Sequence, residues 1–485
     1  MTHVLPALPR YAPFITLLVT FGIGGCGGSD CEFPAAPEGT TVYVCEGADG
    51  EGTSDDPYGS LALAVDEAPD GANVLVSAGT FAENVTIRRA VKIIGSLDTV
   101  IAAPAPHAII VDGASGVSLQ SLHVLNPTGA GIWLKNGAVA TVVGSHIEGA
   151  KNPTGYGVVA VGSSVTLQQT MVTGSASVGV YLVDSPVAII DDGDIVGNAG
   201  GGVRADRALD VQILHSELAN NADFGVLFAD SVGIIDDGKI TGTEQGSAAG
   251  DGVIVIGQTM QSNVQLLHSL VEDNDRIGVL FTGDAVGIID DGDIVANGTT
   301  ERAYAVTGGA GIWIQDGAGA LSKAGIQITN SVLRANHWGG IALFSGAHAT
   351  VSNNQILDTQ AGNPVGILSG VGIPGDGIGI FNGSIAVVEA NTIDASARAG
   401  IFTVAAGGAT TLGGNTLTAN QYGIVLQDQT EMITLLGDNT YGQNAAVDDV
   451  TMFGASDPNR LSQMGVDETG AATALEVPTV GEIPQ

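Results

Sequence analysis

Two segments of this chain are near copies. Val211–Ile240 reads VQILHSELANNADFGVLFADSVGIIDDGKI, and Val264–Ile294 reads VQLLHSLVEDNDRIGVLFTGDAVGIIDDGDI. Each holds two smaller units, and weaker versions of the unit run from about Ser121 to Leu426. A chain with a short fixed period builds one supersecondary unit again and again and buries it against its own neighbours. The mark of the unit is a glycine that opens an apolar strand. It falls at Gly131, Gly157, Gly179, Gly202, Gly225, Gly252, Gly278, Gly311, Gly340, Gly377, Gly400 and Gly423, with shortest steps of 22 or 23 residues. That step suits three short strands and three turns.

The residues after each mark alternate. Val180/Leu182, Val226/Phe228, Val279/Phe281, Ile312/Ile314 and Ile424/Leu426 are the expected inward pairs, stacking like on like into a column. About 12 turns spaced by roughly 4.8 Å give a stack of about 55 Å. A second mark keeps the register: Asn198, Asn221, Asn274, Asn297, Asn336 and Asn420 fall in one turn, where asparagine accepts left-handed backbone and its amide can bond the turn above. A leucine-rich solenoid is excluded because no helical half-repeat is present, and a β-sandwich because the period is fixed.

Residues Thr53–Ile87 precede the repeat. Leu61, Leu63, Val65 and Ala68 predict a short helix with Ser60 as its N-cap, ended by Pro69-Asp70-Gly71. Val74-Leu75-Val76 and Val85-Thr86-Ile87 follow as strands. A helix covering the first turn, asparagine ladders and three-strand turns together resemble the right-handed parallel β-helix proteins of the pectate-lyase-like superfamily. The resemblance spans about Asp55 to Gly437 and implies an all-β, single-stranded right-handed parallel β-helix with an N-terminal capping helix. The expected organisation is a leader at 1–25, a tether at 26–54, the β-helix at 55–445, and a C-terminal cap with an acidic tail at 446–485.

The leader is an apolar run, Tyr11–Gly25, after Arg10. It is too short to span a bilayer. Its end, Ile23-Gly24-Gly25-Cys26, resembles the lipobox of bacterial lipoproteins, which implies lipidation of Cys26; an ordinary secretory signal is the alternative. Cys31 and Cys45 then remain as an even pair for an oxidising compartment, bridged or as two free thiols. These readings place the protein in a bacterial cell envelope, lipid-anchored at the outer membrane or cell surface, and monomeric. With 51 acidic against 15 basic residues the net charge is −36, which argues against nucleic acid and favours divalent cations or cationic partners.

Two features are candidates for chemistry. The first is a column in one turn: Asp191-Asp192, His215, Asp236-Asp237, His268, then Asp290-Asp291. Carboxylate and imidazole one turn apart suit zinc, whereas calcium would take the carboxylates alone. The competing reading is structural, aspartate being at home in turns and histidine relieving the stacking of like charges. The second is the outward column of the first strand: Trp133, Val159, Tyr181, Arg204, Leu227, Ile254, Leu280, Trp313, Ala342 and Phe402. An uncovered aromatic strip is a platform for sugar rings, with Trp133, Tyr181 and Trp313 as its ligand-binding residues. A covered strip is packing. Insertions at Gly242–Asp251, Gly298–Ala310, Gln360–Asp376 and Lys151–Tyr156 all leave from one turn and wall one side of the coil.

The superfamily's enzymes imply specific residues. Ile312-Trp313-Ile314-Gln315-Asp316 resembles a pectate-lyase strand motif, but Gly317 stands where its histidine belongs. The polygalacturonase glycine–histidine–glycine segment is missing, and the esterase branch shares only Gly79-Thr80-Phe81-Ala82-Glu83. No catalytic residue is thereby identified. The expected role is non-catalytic surface binding or support, toward a polysaccharide or a surface protein. The rivals are a polysaccharide lyase or hydrolase, and a metal-binding rod.

Overall fold

The computed structural model describes residues 31–445 and 451–453, apart from 105, 126–127, 150–151, 153, 247–249, 299–309, 321–324, 362–374, 428–430 and 432. The expected leader, Cys26, most of the loops at 298–310 and 360–376, and the tail from 454 lie outside the described residues. Cys31 and Cys45 are both disulfide-bonded. All strands and the helix belong to the unit that begins at Glu32.

Each turn supplies three short strands. Val180–Val183, Ala188–Asp191 and Asp194–Val196 make one turn; Val203–Asp206, Val211–Leu214 and Glu217–Ala219 make the next. Every strand pairs in parallel with its equivalent one turn on, with Val180 against Val203, Ala188 against Val211 and Asp194 against Glu217. First and second strands share a sheet of 29 strands, and third strands form a separate sheet of 15. Those 15 exceed the expected 12 or so because the turns before Gly131 lack the glycine mark. The stack is also longer than expected at both ends. Thr41–Val44, within the expected tether, pairs with Ala72–Val76, and Thr451–Phe453 pairs with Tyr422–Gln427.

The inward pairs named from the sequence are all buried in one continuous core. The two-turn repeat has a packing cause. Phe228 and Phe281 are too large for the inward column of the first strand alone. Gly233 and Gly287 occupy the facing inward position of the second strand, where neighbouring turns carry Val211 and Val264. A Cβ on Gly233 would lie 2.4 Å from the Phe228 ring, and one on Gly287 would lie 2.8 Å from Phe281. A glycine inside a strand costs roughly 0.5–1 kcal/mol. Burying a phenylalanine contributes roughly 1.5–3 kcal/mol, which offsets that backbone cost while the ring fills the space a valine takes on neighbouring turns.

The marker glycines and the asparagines belong to one turn. A Cβ on Gly252 would meet the Gly278 carbonyl at 2.6 Å and the Asn274 amide at 2.8 Å, which leaves room for glycine only. Asn198 Nδ2 donates to Asn221 Oδ1 at 3.0 Å, Asn274 to Asn297 at 2.8 Å and Asn297 to Asn336 at 3.1 Å. The ladder is fully buried. The left-handed residue is not the asparagine but the one before it: Asn220, Asp273, Ala296 and Ala335 have φ of 52°, 53°, 52° and 54°. The asparagine itself turns inward to satisfy carbonyls that the bend removes from the strand ladder, as Asn221 does for Ile195. A second ladder, unread in the sequence, joins Asn354, Asn391, Asn415 and Asn439 in the turn between second and third strands.

The helix Leu61–Glu67 covers the first turn and buries Leu61, Ala64 and Val65; Leu63 points to solvent. Ser60 caps it, accepting from Leu63 N at 3.1 Å. Glu83 accepts from Ser60 Oγ, Leu61 N and Ala62 N, so this carboxylate of the esterase-like segment holds a helix end. Two inserted loops return to the coil at Asp251 and Asp376. Each of these carboxylates is buried and forks with an arginine of the following turn, Arg276 or Arg398.

Candidate functional site

The outer side of the first strands is where the aromatic strip lies, and most of it is covered. Tyr181 is 6% exposed and Trp313 2%; Leu227, Ile254, Leu280, Ala342 and Phe402 are buried as well. Tyr181 and Trp313 are therefore packed side chains, as the covered reading of the strip has it and not the open platform. Alternation sets which way a side chain leaves the sheet, not what meets it there. The flanking columns supply large neighbours. Trp313 stacks on Phe344 at 4.4 Å, Phe344 on Phe381 at 4.6 Å, and Trp338 lies 5.0 Å from Trp313. Together they form a second apolar core outside the coil.

Trp133, at the N-terminal end of the strip, is only half-buried. Polar residues gather around it. His107, one turn earlier, tilts against the indole with ring centroids 4.4 Å apart. The Lys135 ammonium lies 5.0 Å over the indole ring. Arg88, Asp112 and Lys135 fall in one column, with Arg88 and Lys135 each 3.9 Å from the Asp112 carboxylate and Asn136 Nδ2 donating to it at 2.6 Å. Two cations thus share one carboxylate. Elsewhere Arg204, Arg207 and Lys239 each hold an acid of their own at 2.8–2.9 Å. The Trp133 end is locally cationic on a strongly acidic chain.

The His107 tautomer follows from a backbone donor. Ala130 N–H donates to His107 Nδ1 at 3.1 Å, so the neutral ring carries its proton on Nε2. Burial, then the Lys135 charge, hold its pKa below the ordinary histidine value. At neutral pH the group is a neutral Nε2–H donor.

Three turns on, about 14 Å along the stack, Tyr181 Oη donates to Asp206 Oδ2 at 2.8 Å and Arg204 Nε donates to Asp206 Oδ1 at 2.9 Å. Burial, then the Asp206 charge, push the tyrosine far above its usual pKa, so it stays protonated. Among the described residues, Trp133 Nε1, Arg204 Nη1 and Trp338 Nε1 on this outer side are shielded from solvent and have no acceptor. A buried N–H without a partner costs about 1–3 kcal/mol.

The Asp/His column is assembled differently from its alignment. Asp192, His215, Asp237, His268 and Asp291 occupy equivalent left-handed turn positions, with φ of 47–52°. Each histidine reaches diagonally back to the first aspartate of the preceding turn: His215 Nδ1 lies 2.9 Å from Asp191 Oδ1, and His268 Nδ1 lies 2.7 Å from Asp236 Oδ1. Asp290 accepts from Thr329 and from Asn330, which stands where the next histidine would be. The outcome is two exposed pairs and one amide-capped carboxylate. Among the described residues no three histidine, cysteine, aspartate or glutamate side chains converge as a metal site, in this column or elsewhere. The column neutralises stacked charge.

The chain belongs to the family described as "Right handed beta helix region", whose model matches residues 107–266 and 251–440. No curated protein matches it. Solved structures of similar fold include the periplasmic alginate epimerase AlgG, at 12% identity over 82% of this chain and 84% of that one, with a TM-score of 0.40. The catalytic domain of a GH87 alpha-1,3-glucanase matches at 15% identity over 88% and 71%, with a TM-score of 0.41. The Azotobacter vinelandii mannuronan C-5 epimerase AlgE4 A-module matches at 16% over 85% and 98%, with a TM-score of 0.35. These likenesses carry no argument about activity.

Proposed function

We propose that this chain is a non-catalytic saccharide-binding protein of a bacterial cell envelope, held to a membrane by lipid on Cys26. One observation carries the reading: the half-buried Trp133 indole lies beside the His107 ring, 4.4 Å away, and the Lys135 ammonium, 5.0 Å over its ring. A polysaccharide presents both complements, a ring face for Trp133 and hydroxyl oxygens for polar groups beside it. His107 Nε2–H and the Lys135 ammonium stand beside the indole as further donors to the same ligand.

The test is binding of a polysaccharide panel to residues 27–485, with product analysis on the same samples. Binding without new reducing ends or unsaturated ends, weakened about tenfold by Trp133→Ala, is expected; removing one stacking contact of 1–1.5 kcal/mol has that effect. Cleavage would transfer the protein to the enzyme class. Absence of binding to every polymer would leave a surface protein as the partner. The anchor is tested separately: Cys26→Ala should move the protein from the membrane to the soluble fraction, since its acyl chains contribute about 0.8 kcal/mol per buried methylene.

A further inference from the structure

The first strands are covered outside by the second apolar layer, but the second strands keep an open outer side. Over five successive turns its outward residues are Ile189 and Asp191, Gln212 and Leu214, Ile234 and Asp236, Gln265 and Leu267, Ile288 and Asp290. Gln265 is exposed and the others are half-buried. Register sets them in two columns, one alternating isoleucine with glutamine and the other aspartate with leucine. The apolar side chains therefore zigzag between columns. A ridge borders the first column where the chain enters these strands. Leu209, Val232 and Met260, on three successive turns, are 64%, 43% and 45% exposed. Asp230 fixes the Met260 end, accepting from Gln258 N at 2.6 Å, Thr259 N at 3.0 Å and Met260 N at 3.1 Å, and from the Thr259 hydroxyl. An apolar tip is thus held out on an ordered loop.

The opposite border is acidic. Asp192, Asp237 and Asp291 follow the aspartates of the second column, and no lysine or arginine occurs in residues 186–192, 209–215, 231–237, 262–268 or 285–291. His215 and His268 bond Asp191 and Asp236 through one oxygen each. A carboxylate accepts from more than one donor, so each keeps capacity for a lysine or arginine. The spacing then selects the partner. Equivalent side chains on alternate turns stand about 9.6 Å apart along the coil, and residues seven apart on a helix stand about 10.5 Å apart. A helix of about 15 residues spans the five turns. Laid along the coil, its apolar stripe meets Ile189, Ile234 and Ile288 with Leu214 and Leu267 between them. One flank meets the ridge. The other brings a basic residue in each heptad to Asp191, Asp236 and Asp290. A second copy of this chain would bring the same acids to the face, and an anionic lipid surface would be repelled in the same way.

We propose that the open side of the second strands, from Ile189 to Ile288, docks a basic amphipathic helix of another protein. One helix of that length covers less than the roughly 1,200 Å2 of a standard interface, so the contact is weak and reversible. It uses other strands than the Trp133 site and does not depend on saccharide binding.

The probe is a synthetic three-heptad peptide with leucine at a and d, lysine at e and alanine elsewhere, labelled for fluorescence anisotropy against residues 27–485. Saturable one-to-one binding is expected. A peptide of the same composition in scrambled order, and one with glutamate for lysine, should each bind at least roughly tenfold more weakly. Ile234→Thr/Ile288→Thr, which keeps strand propensity, should weaken the ordered peptide by a similar factor, and so should Asp191→Asn/Asp236→Asn/Asp290→Asn. Glu51→Gln/Asp66→Asn/Glu67→Gln removes as many exposed acids near the N-terminal helix and should leave binding unchanged. Melting curves check that each variant is folded. No binding of the ordered peptide overturns the proposal. Equal binding of ordered and scrambled peptides, or equal loss in the two acid triples, reduces the contact to net charge and overturns it as well. A dimer of the chain in sedimentation that Ile234→Thr/Ile288→Thr dissolves assigns the face to a second copy instead.

Discussion

His215 and His268 hold φ of 49° and 47°, a region that after glycine is entered most readily by asparagine, aspartate and histidine. That backbone throws the imidazole back across the preceding turn, which is why each meets Asp191 or Asp236 rather than the residue stacked directly beneath it. The hydrogen bond to that aspartate, then its charge, raise both histidines above the usual value of 6.5. A folded pKa above the unfolded one means the pairs contribute stability that is fully present below about pH 6.5 and lost as pH rises through the folded value. Both side chains are largely exposed, so the effect on stability is small, and the titration itself is the sensitive readout. Imidazole NMR titration should give midpoints above 6.5 for both, moving down on Asp191→Asn for His215 and on Asp236→Asn for His268. A midpoint for His215 unmoved by Asp191→Asn would mean the pair is not populated in solution. The sequence showed that aspartates and histidines share a column. It did not show the one-residue diagonal, which depends on the left-handed turn and a side-chain rotamer.

Within the strands, inward and outward were legible and exposed and buried were not. Val226, Phe228 and Leu227 were assigned their sides by alternation alone, and all three are buried, because a second apolar layer lies over the outer side. The same limit applies to Gly233. Its place in the repeat VGIIDDG is plain, while its reason, a phenylalanine ring from the preceding strand, is a contact between inward columns. Gly233→Ala should destabilise the chain by about 1–3 kcal/mol through overpacking, measured as a fall in the denaturation midpoint. Phe228→Leu in that background should recover part of the loss, because the Val211 carbonyl still lies 3.0 Å from the new methyl. Purely additive effects of the two changes would show that ring and glycine do not share the space. The ladders behave likewise: the first was read from spacing, and the second, Asn354 to Asn439, begins only before the twelfth of the 15 third strands, where serine gives way to asparagine.

Across the whole chain, 51 acids and 15 bases leave a charge of −36 on a solenoid whose turns stack like on like. Parallel stacking sets each surface residue against its equivalent about 4.8 Å away, so an acidic repeat accumulates like charge unless the sequence alternates. It does alternate where it can. Arg207 bonds Asp184, Lys239 bonds Glu217, and the two histidines interrupt three aspartate pairs. Asp194 is less fortunate. Burial, then Glu217 and Asp192, raise its pKa, the mark of a carboxylate short of counter-charge. The bases are too few to complete the pattern, so residual repulsion should oppose folding. Raising ionic strength from 0.01 to 0.15 M shortens the Debye length from about 30 to about 8 Å, beyond which charges several turns apart no longer feel one another. Ion pairs in contact lose little over that range. The melting temperature should therefore rise with NaCl, with most of the gain below about 0.15 M. A flat or falling melting temperature would mean that local pairing already outweighs the long-range field, and that the excess acid is carried for a partner or an ion atmosphere at no cost to the fold.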